Sequence, residues 1–171
     1  QTGVGYQTLA ANTTGQTNTA VGRSALAANT TADNGTAVGA YALQTNTTGV
    51  DNTGVGFQAL QANNGAYNTA VGYHAGNDNT NDITTGQYNV LIGAKAAASV
   101  ATAVNQIVIG YDANGLGNNY AVIGDGNITR VYASDDLGAT LYAGSSTVST
   151  SDRRIKENIE DLDYGLEFIN K

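Results

Sequence analysis

The sequence predicts an all-β chain: a repetitive parallel β-roll, or solenoid, of about 17 residues per coil. Three observations predict it. Val or Ile followed by Gly recurs eight times, at Gly5, Gly22, Gly39, Gly56, Gly72, Gly93, Gly110 and Gly124, with spacings of 17, 17, 17, 16, 21, 17 and 14. A period of that length is too short for two packed helices, and a fixed period is the mark of a repeat architecture. Asn-Thr-rich segments with turn chemistry separate the recurrences.

Each part of the coil has its own residues. Thr stands three residues before the first five glycines (Thr2, Thr19, Thr36, Thr53, Thr69). Leu stands four after the first four (Leu9, Leu26, Leu43, Leu60), and Asn seven after those (Asn12, Asn29, Asn46, Asn63). The consensus is N-T-A-V-G-x-x-A-L-x-x-N-T-T-x-x-x, read as two short strands and two turns per coil. Side chains alternate across a strand, so Thr19 and Val21 face one way and Ala20 and Gly22 the other. Stacked at ~4.8 Å per strand, eight coils form a rod on the order of 40 Å long.

One such coil encloses little volume. A column of Val and Leu does not easily offset the entropy of ordering the chain. The row of Ala and Gly then suggests a face where a neighbouring chain approaches closely. The expected assembly is an intertwined homotrimer, although the period itself does not supply the number three. From residue 89 onwards, Val90-Leu91-Ile92, Ile107-Val108-Ile109 and Ala121-Val122-Ile123 lack a polar face, as strands covered on both sides do. The domain plan is a β-roll shaft or head over residues 1–126, a β-rich neck over 127–150, and a separate segment over 151–171.

That last segment holds 10 charges in 21 positions, whereas residues 1–150 hold 11. Thr150-Ser151-Asp152 offers helix N-cap residues. Ile155, Ile159, Leu162, Leu166 and Ile169 step by 4, 3, 4 and 3, the seam spacing of a coiled coil. Gly165 is unfavourable inside a helix by about 1 kcal/mol, so two short helices meeting there are the alternative to one.

Composition narrows function. The net charge of −7, from 7 Lys/Arg and 14 Asp/Glu, disfavours nucleic acid. The absence of Cys removes disulfides and thiolate metal sites. No run of 18 apolar residues marks a membrane-spanning helix, and membrane insertion is not expected. The chain begins at Gln1 and is expected to be a fragment. His74, the sole His, occupies a variable position shared with Tyr41, Lys95 and Asp112, read as surface. Asn77-Asp78-Asn79-Thr80-Asn81-Asp82 is oxygen-rich, as Ca²⁺ ligands are. It lacks the terminal Glu of an EF-hand and is read as a solvated loop. Tyr6, Phe57, Tyr73 and Tyr111 follow repeat glycines and are expected to pack against the next coil rather than on sugars. No cofactor, no metal and no activity on an external substrate are expected.

Two resemblances follow from these motifs. Over residues 1–124 the N-T-A-V-G-x-x-A-L repeats resemble the head repeats of trimeric autotransporter adhesins, which implies left-handed parallel β-rolls wound as trimers. Similar repeats occur in tail-fibre proteins. The segment Thr150-Ser151-Asp152-Arg153-Arg154-Ile155-Lys156-Glu157-Asn158-Ile159, with Leu162-Asp163-Tyr164-Gly165-Leu166, resembles the start of the intramolecular chaperone domain of phage endosialidases, tail spikes and tail fibres. That likeness implies trimerisation of a virion fibre, attachment to a host receptor such as a glycan, and self-cleavage between Ser151 and Asp152. Ser151 would be the nucleophile and Lys156 its base. A Ser hydroxyl needs such a base, and Arg153 and Arg154 would lower the Lys pKa. The alternative for both residues is an ordinary N-cap and a solvated Lys. The chaperone domain normally continues well past the position of Lys171, so this chain is expected to remain uncleaved. The competing reading is a bacterial adhesin head that binds a host surface or matrix.

Overall fold

The computed structural model of the protein describes residues 1–78 and 80–131, which belong to one compact unit spanning Gln1–Val131. Eight strands of three residues form it: β1 (Thr2–Val4), β2 (Thr19–Val21), β3 (Thr36–Val38), β4 (Thr53–Val55), β5 (Thr69–Val71), β6 (Val90–Ile92), β7 (Ile107–Ile109) and β8 (Ala121–Ile123). They make a single parallel sheet in sequential order, the ladder of an all-β solenoid. Register is strict. Thr19 pairs with Thr36, Ala20 with Ala37 and Val21 with Val38, and the same holds along the rod. The described residues contain no helix. The expected neck beyond residue 131, the C-terminal helix, Ser151 and Lys156 lie outside the described residues.

Each coil holds one strand, not the two expected. The cause is a set of left-handed backbone positions that turn the chain too often for a second extended run. One column is Gln7, Ser24, Tyr41, Gln58, His74, Lys95 and Asp112, and another is Leu9, Leu26, Leu43 and Leu60. A third precedes each strand, at Thr17, Asn34, Asp51, Tyr67, Tyr88, Asn105 and Asn119. Between these bends, backbone bonds join equivalent positions of adjacent coils without forming a second sheet. Ala11 N donates to Ala27 O at 3.0 Å, Ala28 N to Gln44 O at 3.0 Å, and Thr30 N to Thr47 O at 3.1 Å.

The two faces of the strand are also opposite to expectation. The central residues Ala20, Ala37, Ala70, Leu91 and Val108 are fully buried inside the coil, while the flanking Thr and Val point outward. The reason is steric. Leu26, Leu43 and Leu60 cross the interior from the opposite wall and are themselves fully buried, so only small residues fit beneath them. A left-handed conformation costs an L-residue about 1–2 kcal/mol. Full burial of a Leu side chain returns about 1.5–3 kcal/mol. These leucines also donate between coils, Leu43 N to Ala59 O at 3.0 Å and Leu60 N to Ala75 O at 2.9 Å. Burial therefore wins.

The 21-residue step conserves this core by substitution of parts. Gly76 takes the place that Leu holds in the first four coils, and Ile83, carried in by the insertion, is fully buried. Ile83 N donates to Gly76 O at 3.0 Å and ties the two ends of the insertion. Towards β6–β8 the interior residue grows to Leu91 and Val108, but Ile92, Ile107 and Ile109 stay exposed. These strands are thus covered on one face by the chain itself, not on both.

Two buried amide ladders run beside the core. Asn18, Asn52, Asn68, Asn89 and Gln106 stand immediately before strands and are at most 1% exposed. Asn52 Oδ1 accepts from Asn68 N at 2.9 Å, Asn68 Oδ1 from Asn89 N at 3.1 Å, and Asn89 Oδ1 from Gln106 N at 3.0 Å. The second ladder is the Asn of the turn motif. Its members do not adopt the left-handed conformation. They bond their own backbone instead, Asn29 Nδ2 to Ala32 O at 3.1 Å and Asn46 Nδ2 to Gly49 O at 2.8 Å. Asn46 Oδ1 is buried without a partner.

Candidate interaction surface

Because Thr and Val alternate with the buried residue, every strand presents its third residue outward at the same height in the coil. The column is Val4, Val21, Val38, Val55, Val71, Ile92, Ile109 and Ile123. Its members are 37% to 58% exposed, apart from Val55, which is half-buried. At ~4.8 Å per strand it runs about 34 Å along the rod. Ile107 and partly covered Val90 widen it where the Thr column ends. A continuous aliphatic strip of that length is unusual on a free surface. The row of small residues, expected to meet a neighbouring chain, is buried by the coil itself, and the apolar face turned outward is the aliphatic column. The sequence signal for this was the Leu column. In the coils that carry Leu, Leu and Ala together fill the interior, and Val is turned outward.

An edge next to this face carries rings. Phe57 stacks offset on Tyr73, with centroids 5.6 Å apart and planes at 11°, and meets Tyr41 edge-on at 5.9 Å. His74 lies 4.2 Å from the Tyr73 ring and 5.5 Å from Phe57. The Arg23 guanidinium sits 5.3 Å from the Tyr41 centroid. On another edge Tyr67 stacks on Tyr88 at 5.0 Å. Phe57 and Tyr73 meet across adjacent coils, as the repeat predicts, whereas Tyr6 and Tyr111, expected to pack in the same way, are 68% and 67% exposed. Each such pair contributes about 0.5–1.5 kcal/mol beyond its area. His74 Nδ1 is 2.9 Å from Asn77 O, and the residue is only partly exposed, so the ring is a packed member of this ladder.

The oxygen-rich insertion is held by its own turn. Asp78 Oδ1 accepts from Thr80 N at 2.9 Å and Asn81 N at 2.8 Å. Among the described residues no three His, Cys, Asp or Glu side chains cluster as metal ligands. An open depression near β8 is lined by Asp112, Leu116, Val122, Ile123 and Asp125. Hydrogen bonds from the Asn127 side chain and then its backbone hold the Asp125 carboxyl below the ordinary carboxylate value. Neither place assembles a nucleophile with a base. Among the described residues no helix is long and apolar enough to cross a membrane.

The fold and this surface define a parallel β-solenoid repeat protein with one apolar outer face. Comparison with known protein families, with curated proteins and with solved structures gives no match to this chain.

Proposed function

We propose that the chain is a structural and adhesive segment of a homotrimeric phage tail fibre that acts in attachment to a host-cell receptor. Residues 151–171 are then the start of the chaperone that assembles the trimer. The observation that carries the oligomer is the outward aliphatic column from Val4 to Ile123. A rod of narrow coils gains from covering it, because each aliphatic side chain contributes about 1.5–3 kcal/mol when fully buried. The phage assignment rests on the resemblance of residues 150–166 to the chaperone junction, and Ser151 and Lys156 take the roles of nucleophile and base on that ground alone.

Two measurements test this on the whole gene product. Analytical ultracentrifugation is expected to give a trimer, and Val21→Glu with Val38→Glu to give monomers whose circular dichroism is unchanged. Those side chains point outward, so charge there opposes association without entering the coil. A parent monomer would overturn the proposal. Intact mass is expected to show a product ending at Ser151, and Ser151→Ala to leave the chain whole. The alternative, a trimeric adhesin head, is favoured by the N-T-A-V-G-x-x-A-L repeat itself. A gene continuing into a stalk and membrane anchor, and no cut at Ser151, would establish it instead.

A further inference from the structure

The sequence contains three Asn-Gly pairs, Asn34-Gly35, Asn64-Gly65 and Asn114-Gly115. Such pairs are the most prone to deamidation, because Gly offers no side chain to hinder its own amide nitrogen. In that reaction the Gly nitrogen gives its proton to a base and attacks the Asn Cγ. A new C–N bond forms, the Cγ–Nδ2 bond breaks, and the side-chain nitrogen leaves as ammonia. Water then opens the cyclic imide to aspartate or isoaspartate. One water is consumed, one ammonia is released and one negative charge is gained.

We infer that Asn114 is the first site at which the folded chain deamidates, and that coil stacking shields Asn34 and Asn64. At the first pair, Gly35 is buried and its N–H donates to the buried Asn18 Oδ1 at 2.7 Å. The Asn34 side chain is held at both ends: Nδ2 donates to Asp51 Oδ1 at 2.9 Å, and Oδ1 accepts from the Thr17 hydroxyl. At the second pair, Gly65 is buried and donates to Asn63 Oδ1 at 3.1 Å. Asn64 Oδ1 accepts from Thr47 N and the Thr47 hydroxyl, each at 2.9 Å, and from Thr48 N at 3.0 Å. Attack therefore needs the coil contact to open first.

The third pair differs. Gly115 donates to Ala97 O at 2.8 Å but is only partly buried. Asn114 is exposed, and its side chain is held by one bond, Nδ2 to Asp112 O at 3.1 Å. Breaking that bond frees Cγ, and only the Gly115 N–H bond to Ala97 O then ties the reacting pair to another coil, with no side-chain anchor beside it.

The test is peptide mass mapping of the full-length protein held at pH 8 and 37 °C, against the same protein in urea. In urea all three sites should convert at similar rates. In the folded protein Asn34 and Asn64 should be slower than in urea by at least about tenfold, with Asn114 ahead of both. Conversion of Asn34 or Asn64 as fast as Asn114 would overturn the inference. A second arm pairs Thr17→Val with Asp51→Ala, both on exposed side chains. It should raise the Asn34 rate above that of the parent while Gly35 stays bonded to Asn18, and leave Asn64 unchanged. An unchanged Asn34 rate, or an equal rise at Asn64, would also count against it.

Discussion

Gly56→Ala is expected to destabilise the rod by about 4 kcal/mol or more, in the range reserved for severe backbone and packing conflicts. Gly56 has a φ of 135°, a region that is essentially glycine-only and costs other residues about 1–3 kcal/mol. A Cβ there would also stand 2.3 Å from the Gly72 carbonyl oxygen and 2.6 Å from its carbon. The obstacle is backbone of the next coil, which cannot rotate away as a side chain could. The coils would have to part where Gly72 N donates to Val55 O at 2.8 Å. In a repeat array stability is close to a sum of unit and neighbour-interface contributions, so a broken central interface should divide unfolding into two steps. Urea denaturation followed by circular dichroism measures this. The control is Gly54→Ala two residues away, where neighbouring coils carry Ala20, Ala37 and Ala70. It should stay within about 1 kcal/mol of the parent. Equal effects at both positions would show that the glycine column does not set the coil spacing.

Asn68→Leu, which keeps the branched shape but replaces the amide oxygen and nitrogen with methyl groups, is expected to cost about 2–6 kcal/mol. Asn68 is fully buried in the middle of the amide ladder. Its Oδ1 accepts from Asn89 N at 3.1 Å, and its Nδ2 donates to Gly86 O at 2.8 Å. Leu leaves that backbone donor and that backbone acceptor enclosed without partners, at about 1–3 kcal/mol each. Burial of the Leu side chain returns about 1.5–3 kcal/mol, but the bulkier side chain overpacks the enclosed site at about 1–3 kcal/mol. Asn114→Leu, on an exposed side chain bonded only to Asp112 O and outside the left-handed positions, gives the comparison and should be close to neutral. Similar melting of the two variants would mean that the ladder contributes order but little free energy.

Much of the backbone plan was legible because it depends on period. The equal spacing of the Val-Gly pairs places Thr on Thr and Val on Val, and the parallel register follows. The side that faces inward was not legible from that alternation. Thr19, Ala20 and Val21 alternate identically whether Val points in or out, and hydrophobicity favours the wrong choice. What decides is the width of the coil, which Leu26 and its equivalents set from the other wall. The missing second strand has a similar cause. A left-handed Leu43 is unusual for its residue type, and nothing in the residues Ala42-Leu43-Gln44 announces it. Of the candidate surface, the aromatic stacking of Phe57 and Tyr73 could be read from their positions after repeat glycines. The aliphatic column could not, since it was assigned to the interior.

The strict register has a consequence for inheritance. From β1 to β5 each strand pair joins a Thr to a Thr and a Val to a Val, so this register does not record which coil it belongs to. Deleting residues 22–38 would bring Thr19 against Thr53 and Val21 against Val55, the same pairs as before. Reach would shorten by one strand spacing, about 4.8 Å, with the neighbours none the wiser. A gene of this kind can tune the span of its product by gaining or losing whole repeats, whereas a shift of a few codons would turn an aliphatic side chain into the core and a small one out to water.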